Sequence, residues 1–377
     1  VAENKGDNMR RHIARFACAC GAVFALLGSI AQAADFSVVF INPGRADEPY
    51  WRSATRFMQP AAQQLHIDLE VLYAERDHLK MIELMKQVAL RPKKPDYVIL
   101  VNEKLAGGEM LKLAERTGIK ALFAYSAFED EQQAEFGMPR QKFKRWLGSI
   151  TPNSVDAGRL TAEELVRQAL KNHVVADDGK VHIAAIAGDK ATPTSTQRLE
   201  GALEVLTRHP SVVFEQTVHG NWDRARAKEQ VQGLLVRYPK LNAFWAASDL
   251  MAYGAIEAAE AAGRTPGRDI LFSAINNSPE VLQARIKGRI SSLAGGHFMA
   301  GGWALVMLYD YHHGKDFKPL GLELRMPLFS LLDAELAERF LTRFGNEDFS
   351  SIDFRRFSRH LHPQLRHYEF NLPAVLK

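Results

Sequence analysis

The sequence predicts an α/β chain of two doubly wound parallel-sheet lobes followed by a C-terminal extension, and three observations carry that prediction. Short apolar runs alternate with helix-length amphipathic stretches from residue 36 to about residue 293, the pattern of a sheet covered by helices. Runs such as YVILV (97–101) and HIAAIA (182–187) are apolar on both faces, as strands buried on both faces must be. The alternation breaks once, over 128–145, where the chain is polar, charged and contains Pro139.

Taken in order, strands are expected at 36–41, 69–73, 97–101 and 121–125, with helices over 50–65, 81–90 and 106–116. After the break the chain resumes at 146–150, followed by Thr151-Pro152-Asn153. Strands then fall at 182–187, 212–218, 243–247, 270–275 and 290–293, interleaved with helices over 155–171, 196–207, 225–238, 250–262 and 279–287. Strict β-α-β alternation implies right-handed crossovers. Four units before the break and at least four after it give two lobes joined near residue 150.

The last fifty residues stand apart. An amphipathic helix is expected over 333–344, followed by a segment rich in Phe, Arg and His. Two explanations stay open: a wrap covering the second lobe, which is favoured, or a docking surface for a sensor protein. His360 and His362 have H-x-H spacing but no acidic neighbours, so no metal site is expected there.

The N-terminus reads as an export signal over 1–33. Met9, taken as the initiator, precedes Arg10, Arg11 and Arg15. An uncharged run over 16–30 follows and ends at Ala31-Gln32-Ala33. A positive start, a short apolar run and an A-x-A end define a cleavable secretory leader, with cleavage expected near Ala33/Ala34. A buried first helix and a lipoprotein anchor are the alternatives. The latter fits poorly, because Cys18 and Cys20 lie at the start of the apolar run. Both cysteines belong to the leader, so the exported chain has no disulfide, thiolate nucleophile or Cys-metal site. The leader holds four basic and two acidic residues, which leaves 44 basic against 42 acidic side chains. With no long basic block, nucleic acid and anionic membranes are not expected partners.

In an open parallel sheet, ligands bind beyond the carboxyl ends of the strands. The residues there include Asn42-Pro43-Gly44, Asn102-Glu103, Ser126, Gly188-Asp189, Asn221-Trp222, Ser248-Asp249, Asn276-Asn277 and His297. Amides, hydroxyls and tryptophans around one cleft suit a polyhydroxylated ligand, whose C–H faces stack on rings while its hydroxyls find polar partners.

At these residues the chain resembles the type 1 periplasmic binding proteins, the family of the ribose and galactose binders. The likeness covers roughly 36–328. It rests on VVFINP with Trp51 downstream, PDYVILVN ending at Asn102, LGSITPNSVDAGRLTAEEL, AGDKATPTSTQRLEG, NWDRARA, WAASDLMAYGAIEA and FSAINNSPEVLQA. The resemblance implies a three-strand hinge between a first lobe of 34–150 plus 295–327 and a second of 151–294 plus 328–377. It implies that Trp51 and Trp222 stack on opposite faces of a sugar ring, against the plainer reading of Trp51 as a core residue. Asn102 takes the place of a hydrogen-bonding amide, and Arg198 that of an arginine aimed at ring oxygens. Thr194 and Thr196 are weaker candidates, since either could cap its helix. Asp249 matches a residue that opens the next helix. Ser248 stands where sugar binders have Asn, Asn276 where they have Asp, and His297 where ribose-type members have an amide. A neutral Asn276 deprives the site of the carboxylate that makes the stronger, charge-assisted bonds. The spacing of Asn42-Pro43-Gly44 from Trp51 and the C-terminal extension look closer to the quorum-sensing furanosyl-autoinducer receptor branch.

The resemblance therefore implies a monomeric periplasmic protein that captures a small sugar-like ligand and passes it to an ABC permease, with a membrane sensor kinase or cyclase as the alternative partner. No cofactor is expected. The enzyme reading lacks a P-loop, a G-x-S-x-G elbow and an H-E-x-x-H helix. The repressor core that shares this fold would need a DNA-binding headpiece where the leader stands.

Overall fold

The computed structural model describes residues 34–377, and the leader expected over 1–33 lies outside the described residues together with both cysteines. The first strands and helices follow the expected alternation: β1 (Phe36–Asn42), α1 (Pro49–Gln64), β2 (Ile67–Tyr73), α2 (His78–Ala89), β3 (Tyr97–Leu100), α3 (Gly107–Thr117), β4 (Lys120–Ala124), α4 (Asp130–Phe136) and β5 (Trp146–Pro152). Helix α4 lies inside the stretch expected to be irregular. Its Phe136 is buried against Phe128 and Phe143, so two phenylalanines hold a short polar helix that has little periodicity of its own.

The second set is α5 (Ser154–Lys171), β6 (Val181–Ala187), α6 (Pro193–Leu206), β7 (Val212–His219), α7 (Arg224–Arg237), β8 (Ala243–Ala246), α8 (Asp249–Ala261), β9 (Leu271–Ile275), α9 (Pro279–Ile286) and β10 (Ser292–Gly295). The chain ends with α10 (Ala300–His312), β11 (Glu323–Met326), β12 (Ser330–Leu331), α11 (Ala334–Phe344) and α12 (Leu372–Val375).

These strands form two six-stranded sheets, ordered β2-β1-β3-β4-β5-β11 and β7-β6-β8-β9-β10-β12. All described pairings are parallel except β10 with β12. Strands β3 and β6 are buried along their whole length, as sequences apolar on both faces require; His182, the polar residue of β6, is held by Asp178 and Glu215. The chain passes between the sheets after β5, after β10 and between β11 and β12.

Helices α5 and α6 cross at unusually short range. A methyl group on Gly158 would lie 1.9 Å from the Arg198 carbonyl oxygen, and one on Gly201 1.9 Å from that of Val155. Only glycine permits this approach, and it brings Arg198 on α6 to the interlobe cleft.

The extension departs from expectation. Helix α11 does pack on α9 of the second lobe. From Gly345 on, however, the chain lies against α1 and α10, so the placement of 328–377 wholly with the second lobe is corrected. Glu347 accepts hydrogen bonds from Arg52 and Ser53 of α1. Trp303 of α10 stacks on Phe370 at 4.7 Å and meets Phe354 and Phe357. The buried Asp310 carboxylate accepts from Ser358 Oγ, the Arg359 and His360 N–H groups and Tyr368 Oη. The physical reason is α10 itself, in which ten of thirteen residues are buried. A helix apolar on all sides must be covered on all sides.

Candidate functional site

The carboxyl ends of both sheets face one chamber. Its walls include Glu48, Tyr50, Trp51, Arg76, Glu103 and Tyr125 from the first lobe, and Thr192, Thr194, Arg198, Trp222, Ser248, Asp249 and Asn276 from the second; His297 joins them from a crossover. The lobes touch around it, through the Lys104 N–H on Thr192 Oγ1 at 3.2 Å and Gln197 Nε2 on Glu129 Oε1 at 2.6 Å. In this arrangement of the lobes the chamber keeps about 60 Å³.

Each tryptophan lies on a glycine. A methyl group on Gly44 would fall 1.9 Å from the Trp51 ring, and one on Gly188 2.2 Å from the Trp222 ring. Trp51 is nearly buried, packed edge-on by Tyr50 and Tyr125 at 4.8 and 5.1 Å, and its Nε1 has no partner. It is therefore both a core residue and a wall of the chamber. Trp222 donates from Nε1 to Asp189 at 2.9 Å. Burial pushes the Asp189 carboxyl upward, but hydrogen bonds from Thr192, Ala191 and Trp222 hold it below the usual range. Asn221, Trp222 and Tyr125 all have positive φ, at 52°, 62° and 68°. Side chains avoid that region, and such strain gathers at functional sites.

Two arginines line the chamber in opposite circumstances. Arg76 is neutralised by Glu48 and Glu103. Arg198 is buried and has no carboxylate partner among the described residues. Its Nη1 donates to the Ala247 carbonyl at 2.8 Å, its Nε has no acceptor, and its guanidinium lies over the rings of Trp222 and Phe329. Burial pulls its pKa down to about 10. His297 is sandwiched between Tyr50 and Phe329 at 4.7 and 4.6 Å, and its Nδ1 is unpartnered. Burial, reinforced by Arg198, keeps the ring neutral by pulling its pKa well below the ordinary 6.5.

A group whose pKa is depressed on folding contributes stability above its unfolded value and loses it as pH falls. Wild-type protein is therefore expected to lose more melting temperature between about pH 7.5 and pH 5 than His297→Phe. Calorimetric scans of the two proteins check this, and parallel curves would contradict it.

Asp249 lies within the α8 N-terminus with its carboxylate on Asn276 Nδ2, Ser278 Oγ and the Leu250 N–H. Burial raises its pKa against those hydrogen bonds. Ser248 is the cap of α8, through Oγ to the Met251 N–H. Asn276 brings no carboxylate to the wall, but Glu48, Glu103 and Asp249 do, each already held by a protein partner.

Two expected site residues are not in the wall. Asn102 is fully buried, but its amide ties its own loop to the Ala127 carbonyl, Gln132 and the Gly107 N–H. Thr196 is exposed on α6, its hydroxyl on the Pro193 carbonyl, and Thr192 occupies the cap position instead. Tyr50, Glu48, Arg76 and Tyr125 were missed. Applying the strand-end rule to the end of β2 finds Arg76.

Two α/β lobes that close polar and aromatic side chains over a shared chamber define a two-lobed ligand-binding protein. The family model described as periplasmic binding protein domain matches residues 38–316. The chain belongs to the periplasmic binding protein family, whose members are binding proteins rather than enzymes. It is 22% identical over 277 residues to the galactofuranose-binding protein YtfQ of Escherichia coli, covering 72% of this chain and 80% of that one. It is 22% identical over 274 residues to the ribose import binding protein RbsB of the same organism, covering 72% and 82%. Among solved structures, a periplasmic sugar-binding protein from Pseudomonas fluorescens is 39% identical with a TM-score of 0.82, covering 91% of this chain and all of the other.

Proposed function

We propose that this protein is an exported, periplasmic solute-binding protein that captures a small sugar-like ligand between its lobes and delivers it to an ABC importer without converting it. The observation that carries the reading is the chamber's set of aromatic faces beside unpaired donors. Trp51 and Trp222 come from different lobes, and Trp51 Nε1 and Arg198 Nε have no acceptor. A hydroxylated ring would satisfy both kinds of surface at once. A ligand touching both lobes favours the closed state, because its affinity for that state is the greater. The sugar-binding and import functions named for the relatives support the same reading, and the leader at 1–33 supports export. The protein is read as a monomer.

A thermal-shift screen against monosaccharides, furanoses and polyols tests it, since a true ligand raises the melting temperature by mass action. Trp222→Ala is expected to weaken binding of the hit by about 1–3 kcal/mol through lost stacking and apolar burial. Unchanged affinity by calorimetry would remove Trp222 from the site. Steady turnover of the hit would overturn the binding-only reading.

A further inference from the structure

A second cavity adjoins the chamber on the side of the crossover strands. It holds about 230 Å³ and shares Tyr125, Ser126 and Thr194 with the first. Its remaining polar groups come from both lobes: Glu129 at the start of α4, Gln133 on α4, Ser149 and Thr151 on β5, Gln197 on α6, and Glu323 and Arg325 on β11. At ~30 Å³ per water it has room for about eight waters, enough bulk for one hydroxylated ring. Both cavities lie between the lobes, and the Gln197–Glu129 bond that joins the lobes lies in the wall of the second.

The partition between the two cavities is built at a cost. Tyr125 takes φ +68° just past β4, and its hydroxyl donates to the Phe298 carbonyl. Ser126 Oγ is tied to the Asn102 carbonyl. Tyr125 and Ser126, just past the end of β4, thus line both cavities. Gln197 donates to Glu129 across the lobes, and Gln133 donates to Glu323. Carboxylate oxygens and amide groups thus line the second cavity, whereas aromatic rings dominate the first.

We propose that this second cavity is a subsite for a second hydroxylated unit, so that the ligands of this protein include disaccharides and hydrophilic glycosides as well as single sugars. The inference rests on the sugar-binding reading above. One ring lies between Trp51 and Trp222, and its substituent passes over Tyr125 and Ser126. Hydroxyl groups of the second unit donate to Glu129 and Glu323 and accept from Gln133 and Arg325. These groups bond one another here, Gln197 to Glu129 and Gln133 to Glu323, and a polyol's hydroxyls can replace or extend those bonds where an apolar aglycone offers none.

The test is calorimetric titration of the purified full chain with D-galactose, D-glucose and L-arabinose, and with lactose, melibiose and maltose. At least one disaccharide is expected to bind about tenfold tighter than its component monosaccharides. Gln133→Trp, which fills the second cavity from the first lobe, is expected to abolish that gain and leave monosaccharide affinity within about twofold. Binding of monosaccharides with exclusion of every disaccharide would overturn the proposal and mark the cavity as solvent only. So would a Gln133→Trp variant that keeps the disaccharide gain or weakens both ligand classes alike. If neither class binds, the sugar-binding reading itself fails, and this inference falls with it.

Discussion

Trp303→Ala is expected to lower the unfolding free energy by about 3–5 kcal/mol, the range for truncating a fully buried aromatic residue. Trp303 is wholly buried on α10, in contact with the rings of Phe57, Phe354, Phe357 and Phe370. Its Nε1 makes no hydrogen bond, so the loss is one of packing. Three of those four rings belong to the C-terminal extension, so the damage should be local as well as global. Limited proteolysis is expected to cut the variant within 345–377 under conditions where wild type is resistant, and the melting temperature falls by several degrees. Trp303→Phe, which refills part of the space, should recover much of the loss. An unchanged melting temperature in Trp303→Ala would show that the extension does not need this anchor.

Arg198→Met is expected to move stability and affinity in opposite directions. Burying a cation without a carboxylate partner is costly, and an apolar side chain of similar volume removes that cost. The ligand-free variant should therefore melt higher than wild type. The same change deletes the chamber's unpaired guanidinium donors, and hydrogen bonds from charged groups contribute roughly 1.5–3 kcal/mol each. Affinity for the sugar found by screening is expected to fall about ten- to hundredfold. Differential scanning calorimetry and isothermal titration on one preparation read both effects. A variant that loses stability as well as affinity would identify Arg198 as a framework residue, with its bond to the Ala247 carbonyl as its main role.

Much of the molecule was legible before any coordinates. The largely apolar runs at 97–101 and 182–187 lie inside their sheets; the strand-end rule led to Trp222, Ser248, Asp249, Asn276 and His297, and the family resemblance to Trp51 and Arg198, all of which line the chamber. Asn102 shows where the rule ends. It follows β3 as expected, yet its amide turns back into its own loop, because the facing of a residue beyond a strand depends on turn geometry and no longer on strand alternation. Thr196 failed for a related reason. Helix α6 begins at Pro193, earlier than periodicity indicated, and this rotates Thr196 to the outer face. Tyr125 was hidden inside an apolar run that reads as strand to its last residue.

By itself the sequence determined the two-lobed α/β class, most strands and helices between residues 36 and 295 to within a few residues (but not α4, nor the later α10, β11 and β12), and the end of the sheets at which the strand-end rule expects a ligand. These follow from local periodicity and from turn chemistry within single segments. Only the tertiary structure decided which strand-end side chains meet in one chamber, that Arg198 is left unpaired while Arg76 is neutralised, and that the extension covers α1 and α10. Apolar burial has no direction. A phenylalanine-rich tail states that it must be covered, and the surface that covers it emerges only when both lobes are in place.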